Sequence, residues 1–206
     1  MRLSTTAALL VSLTGAAAAA PAARAETFGP WLLDCATDSM TDRQSCRMTH
    51  ETPVEPASAG QSAMALEVVR RGELLLPAVT ARDLGLDTAG RGLLAFTGTA
   101  QIRFPPAAML EMPCRLDGRS VVCVPRAEDA ARAAAELPQA GRALVRITGL
   151  GSGGEAAPRE LRLERTADAL SALRARLPAD GGAPAAEPGF DLRDLLGRAQ
   201  RFLFPE

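Results

Sequence analysis

The chain has 206 residues, with 23 basic and 24 acidic side chains, a formal net charge of −1, and 47% hydrophobic residues. That near-neutral balance gives no reason to expect nucleic acid or an anionic membrane surface as a partner. The length suits one domain with a real core better than two.

Residues 1–25 read as a secretory signal. Arg2 is followed by an apolar run, Ala7 to Leu13, then an alanine tract, and the stretch ends at Ala23-Arg24-Ala25, a small-x-small cleavage pattern. The apolar run is far shorter than the ~20 residues a membrane-spanning helix needs. No cysteine lies near the cut, which argues against a lipoprotein. Loss of the segment removes Arg2 and Arg24 and brings the net charge from −1 to −3. The expected location is periplasmic, secreted or outer-envelope associated, with no transmembrane segment after cleavage.

Residues 26–178 read as a β-rich domain. Trp31, Leu33 and Cys35 alternate with Leu32 and Asp34, and strand-length runs follow at Ser62 to Arg70, Glu73 to Val79, Gly92 to Thr97, Ala100 to Phe104 and Ser120 to Val124. Pro and Gly punctuate them, and Asp117-Gly118 is a hairpin-turn signal. An alanine-rich helix is expected from Ala127 to Leu137, stopped by Pro138, with Glu128, Arg132 and Glu136 on a solvated face. Strands over Arg142 to Thr148 and Arg159 to Arg165 flank a glycine-rich loop. Thr166 is placed to cap a helix reaching Leu177, with Leu170, Leu173 and Leu177 as its apolar stripe.

Residues 179–189 have linker composition. In residues 190–206, Asp191 as N-cap and a stripe of Leu192, Leu195, Leu196, Ala199, Phe202 and Leu203 spell an amphipathic helix. It is near the length at which isolated helices are marginal. It either folds back on the domain or engages a partner through Phe190, Leu195, Phe202 and Phe204.

The four cysteines form two close pairs, and three connectivities are possible. Pairing Cys35 with Cys46 and Cys114 with Cys123 is favoured, because both loops are short and each closes a hairpin or loop. Ten and eight residues intervene, too many for the tight knuckles of structural zinc sites. There is no Cys-x-x-Cys to support redox chemistry, and an oxidising compartment suits disulfides.

Phe28-Gly29-x-Trp31 before Cys35, Arg47-Met48 after Cys46, Leu76-Pro77-Ala78 before further strands, and Cys114…Cys123-Val124 before an alanine-rich segment occur in that order. In this combination, over roughly residues 27–178, the chain resembles the invasion-associated locus B family of alphaproteobacteria. The resemblance implies a mainly β, sandwich-like envelope protein with disulfides at Cys35, Cys46, Cys114 and Cys123 and Trp31 in the core. It implies no catalytic residues, and host association as a possible setting.

The search for chemistry is otherwise sparse. Gly149 to Gly154 satisfies G-x-G-x-x-G, but Pro158 and a strand-like run follow it where a dinucleotide site needs a helix. His50 is the only histidine, so any Ser-His-Asp or Cys-His set must use it. The cysteines are better spent in bridges, and His50-Glu51 reads as an exposed pair ending a strand. One His and no free thiol are too few for a transition-metal site. Trp31 reads as core against the first bridge. Met109, Leu110 and Met112 read as a strand delivering side chains to the core, with an adaptable binding edge as the alternative.

The expectation is therefore a sandwich-like antiparallel β domain with two short packing helices and two local disulfides, then a linker and a C-terminal helix. No catalytic set, cofactor or metal is assigned. The function expected is contact with an envelope or host protein; the alternatives are a small-ligand carrier or a hydrolase using His50.

Overall fold

A computed structural model of the chain describes residues 25–58, 62–84, 98–149 and 157–177. Among these residues, ten strands form one antiparallel sheet: β1 Glu26–Phe28, β2 Trp31–Thr37, β3 Gln44–His50, β4 Ala65–Arg71, β5 Leu74–Ala81, β6 Thr99–Arg103, β7 Leu110–Asp117, β8 Ser120–Cys123, β9 Arg142–Thr148 and β10 Arg159–Arg162. The spatial order is β1-β2-β3-β4-β5-β8-β7-β6-β9-β10.

Among the described residues, two helices accompany the sheet, α1 Ala130–Glu136 and α2 Thr166–Arg176. Short 3-10 turns flank α1 at Ala127–Asp129 and Leu137–Gln139, so the expected alanine-rich helix is present in three pieces. Its Pro138 falls inside the trailing 3-10 turn.

The period-two pattern is obeyed where the sheet has one wet face. Along β9, Ala143, Val145 and Ile147 are buried while Arg142 and Arg146 are exposed, as a half-buried strand requires. β5 departs from this: seven of its eight residues are buried, which places it at the crowded middle of the sheet. Arg82, just past its end, forms a two-nitrogen ion pair with the buried Glu67 of β4.

A single large core draws on both halves of the sheet: Trp31, Leu33, Met48, Leu66 and Val79 from one side, and Ile102, Leu110, Met112, Val145 and Ile147 from the other. Ala133, Leu137, Leu170 and Leu173 of the helical segments join it. The sheet therefore curls around shared contents, which gives the sandwich-like layout. Burial of side chains such as these, at about 1.5–3 kcal/mol each, is the main stabilising term.

Three hairpins close through two-residue loops: Gly29-Pro30, Gly72-Glu73 and Gly118-Arg119. Gly118 has φ +56, the left-handed region that a tight hairpin turn demands and that glycine enters without a Cβ clash. The turn lies where Asp117-Gly118 signals it.

The disulfides join Cys35 to Cys46 and Cys114 to Cys123. Each bridges directly opposed residues of one hairpin, β2–β3 and β7–β8. No free cysteine is found. Among the described residues, no helix is long and apolar enough to cross a membrane.

The strand expected at Gly92 to Thr97, the signal segment, the linker and the terminal helix with Phe190, Leu195, Phe202 and Phe204 lie outside the described residues. Most of the Gly149 to Gly154 loop does too.

Candidate functional site

The curl brings β10 up to β3, and the closure is made by His50. It is only 4% exposed, so the expectation of an exposed polar pair at the strand end is corrected for His50 and holds for Glu51, which is exposed. The cause is tertiary: the last residue of β3 lies beneath the chain that leaves β10. The Thr52 N–H donates to Nδ1 at 3.0 Å. Nδ1 also lies 3.1 Å from the Thr52 carbonyl. Nε2 lies 2.8 Å from the Arg162 carbonyl, which can only accept, so Nε2 carries a proton and donates it there. Both nitrogens are spent on backbone groups.

Trp31 stands directly opposite His50 in the β2–β3 ladder. The two rings meet edge to face, with centroids 5.3 Å apart, a favoured aromatic geometry. The indole is fully buried, and its Nε1–H donates to Thr166 Oγ1 at 2.8 Å. The Thr166 hydroxyl in turn donates to the Leu163 carbonyl at 2.6 Å. Trp31 thus reaches α2 through its N–H and β3 through the His50 ring, within the core cluster against which Cys35 and Cys46 also pack.

Thr166 is likewise corrected as a helix cap. The N-cap position belongs to Arg165, which is left-handed at φ +57 and makes no side-chain cap bond. Thr166 is the first helical residue, and its hydroxyl is turned into the core to serve the indole. Arg165 lies over the Phe28 ring at 5.6 Å and pairs with Asp168 at 3.0 Å. The β1–β2 turn packs beneath this corner. A Cβ on Gly29, whose φ is +58, would stand 3.0 Å from the Glu164 carbonyl oxygen.

The node therefore gathers residues from β2, β3, the end of β10 and the start of α2 into a dry, satisfied set. Such a set rigidifies a fold. His50 engages backbone groups of Thr52 and Arg162 through its two ring nitrogens. Arg162 and Thr52 were not distinguished by local sequence, and Thr166 was singled out only as a helix cap, since only the curl brings Arg162 and Thr166 to His50 and Trp31.

Leu110 and Met112 are fully buried, whereas Met109 is 42% exposed. Among the described residues, no group of three or more His, Cys, Asp or Glu side chains is positioned to hold a metal.

The second distinctive region is the outer part of the β2–β3 hairpin. Residues 36–45 are all exposed, so this arm adds nothing to the core. It is nevertheless held at both ends. The Cys35–Cys46 bridge clamps its base. At the tip, Asp38 Oδ1 accepts from the backbone N–H groups of Met40 and Thr41 at 2.8 and 2.9 Å, and these bonds pull the Asp38 carboxyl below its usual range. Met40, at the apex, is 90% exposed.

Comparison with family models, curated proteins and solved structures returns no match to this chain.

Proposed function

We propose that this chain is an exported, non-enzymatic envelope protein that works by contact with another protein, of the type represented by the invasion-associated locus B family. The observation that carries the reading is the arm. A ten-residue exposed hairpin, braced by a covalent bridge and a capped tip, costs ordering entropy and contributes no burial. Such a preorganised projection suits recognition, because its entropy is already lost before a partner arrives.

Two further observations support it. Both disulfides favour an oxidising compartment, in keeping with the signal-like residues 1–25. The sole histidine, which a Ser-His or Cys-His mechanism would need, is held by backbone groups on both nitrogens.

The test is to express the whole chain in a Gram-negative host, fractionate the cells, and sequence the amino terminus of the product. Export, a start at Glu26 and absence of free thiols are expected. A chain retained in the cytoplasm with reduced cysteines would overturn the reading. So would hydrolytic activity on a substrate panel that disappears on His50→Gln while the fold is kept.

A further inference from the structure

We propose that the open edge of β2, from Asp34 to Thr37, is a docking site for an extended cationic segment of a partner protein, which adds to the sheet as a strand.

The geometry of the ladder identifies the edge. The Glu51 N–H donates to the Pro30 carbonyl, so positions 30 and 51 form a hydrogen-bonded pair. Alternation along the antiparallel ladder then makes Cys35–Cys46 a non-hydrogen-bonded pair. Their Cα separation of 4.0 Å agrees. The N–H and C=O groups of Cys35 and Thr37 consequently point away from β3. On that side β1 pairs only with Trp31, Leu32 and Leu33. Among the described residues, no strand pairs with 34–37 there. The ladder begins, runs for three residues, and stops beside an exposed, braced ribbon.

An unpaired edge is a template for another strand, and proteins usually blunt such edges. Here the strand is short, but it carries no proline, bulge or lysine. Backbone pairing of this kind provides affinity, and alternate side chains provide selectivity. The side chains flanking the open edge on the sheet's outer face are Asp34, Ala36 and Asp38. On the occupied side, β3 already meets this row with Arg47 opposite Asp34, Ser45 opposite Ala36, and Arg43 accepting at its carbonyl from the Asp38 N–H. Asp34 is exposed, and among the described residues it makes no ion pair. The complementary occupant is therefore a strand with the pattern Arg-x-small-x-Arg. A second copy of the same edge fits poorly. Pairing β2 with itself about a two-fold axis through Ala36 sets Asp34 against Asp38, a like-charge opposition that destabilises strand pairs.

This inference rests on the reading of the chain as an exported protein-contact module that starts at Glu26, with no residues before β1 to continue along 34–37, and it names where and how contact is made. The probe is a blocked peptide of the chain's own residues 41–49, with serine in place of Cys46. Its control carries glutamate in place of Arg43 and Arg47. Amide signals of the labelled, disulfide-intact chain are followed during titration. Shifts centred on Cys35 and Thr37 are expected, with exchange of those two amides slowed at least ten-fold at saturation. The glutamate peptide should bind at least ten-fold more weakly, and Asp34→Lys should reverse that preference. Thr37→Pro, which removes an outward-pointing N–H and leaves the β2–β3 bonds intact, should abolish binding without lowering the melting temperature appreciably.

Absence of binding up to millimolar peptide would overturn the proposal, as would shifts centred on another edge or indifference to the charge at Asp34. A concentration-dependent dimer that Thr37→Pro dissolves would make the occupant a second copy, and so would overturn the assignment of a foreign strand. Discovery of an enzymatic activity in a chain that still binds the peptide would sink the functional reading and leave the edge standing.

Discussion

Trp31 and Thr166 are 135 residues apart in the chain, and the indole N–H of the first is satisfied by the hydroxyl of the second. The bond ties the β2 strand at the start of the domain to the first turn of its last described helix. It also explains why a threonine at the head of that helix is buried rather than capping.

Replacing Thr166 by Val keeps the shape and removes the acceptor for a buried donor. The expected loss is about 1–3 kcal/mol of stability, the cost of leaving such a group unsatisfied. Thr166→Ser, which keeps the hydroxyl, should lose less than half as much. Urea unfolding followed by Trp31 fluorescence measures both, and equal losses would show that the methyl group rather than the hydrogen bond matters.

His50→Leu should be at least as damaging. It strands the Thr52 N–H and the Arg162 carbonyl together, so a loss of at least about 2 kcal/mol is expected. If the node acts as one network, His50→Leu and Thr166→Val will not add. A double-mutant cycle by chemical denaturation reads the coupling, and strict additivity would dissolve the network into separate bonds.

The two disulfides should differ in consequence. Loop-closure entropy alone gives each roughly 2.5–3 kcal/mol. Cys123, however, is fully buried in the core, while Cys35 and Cys46 lie at its margin. Changing Cys114 and Cys123 together to Ala should lower the melting temperature more than the same change at Cys35 and Cys46. Peptide mapping without reductant, where Cys35 linked to Cys114 would contradict the pairing, and calorimetry of the two variants check this.

Acid should loosen the arm before the core. Asp38 has a depressed pKa because the Met40 and Thr41 N–H groups favour its charged form. Its contribution is therefore complete above the unfolded value of about 4 and is lost as pH falls through the lower folded value. The amide shifts of Met40 and Thr41 should titrate on that acid limb while those of the core strands stay fixed. Asp38→Asn should remove the titration, and a transition that persists in that variant would point to another group.

Much of the domain was legible locally. The strand over Arg142–Thr148 and the Asp117-Gly118 turn follow from period-two alternation and turn chemistry, as does the helix that ends near Leu177. These depend on neighbours a few residues away. The 3-10 character around Ala130–Glu136 was not legible, since alanine-rich composition favours helix without distinguishing its hydrogen-bond period. β1 was missed because three residues carry too little pattern to register as a strand.

The edge of β2 shows the same division. By itself, the sequence determined that Trp31 to Cys35 alternates as a strand. It also determined that the cysteines lie close enough to bridge within hairpins, because closing a short loop costs little entropy. Whether the strand's far side would be covered, whether His50 would be wet or dry, and what the Trp31 indole would bond to were decided only when the sheet curled. Those outcomes depend on backbone groups from Arg162 and Leu163 and on the Thr166 hydroxyl. No side-chain periodicity reports them, because the backbone is the same at every residue and only the tertiary path brings it within reach.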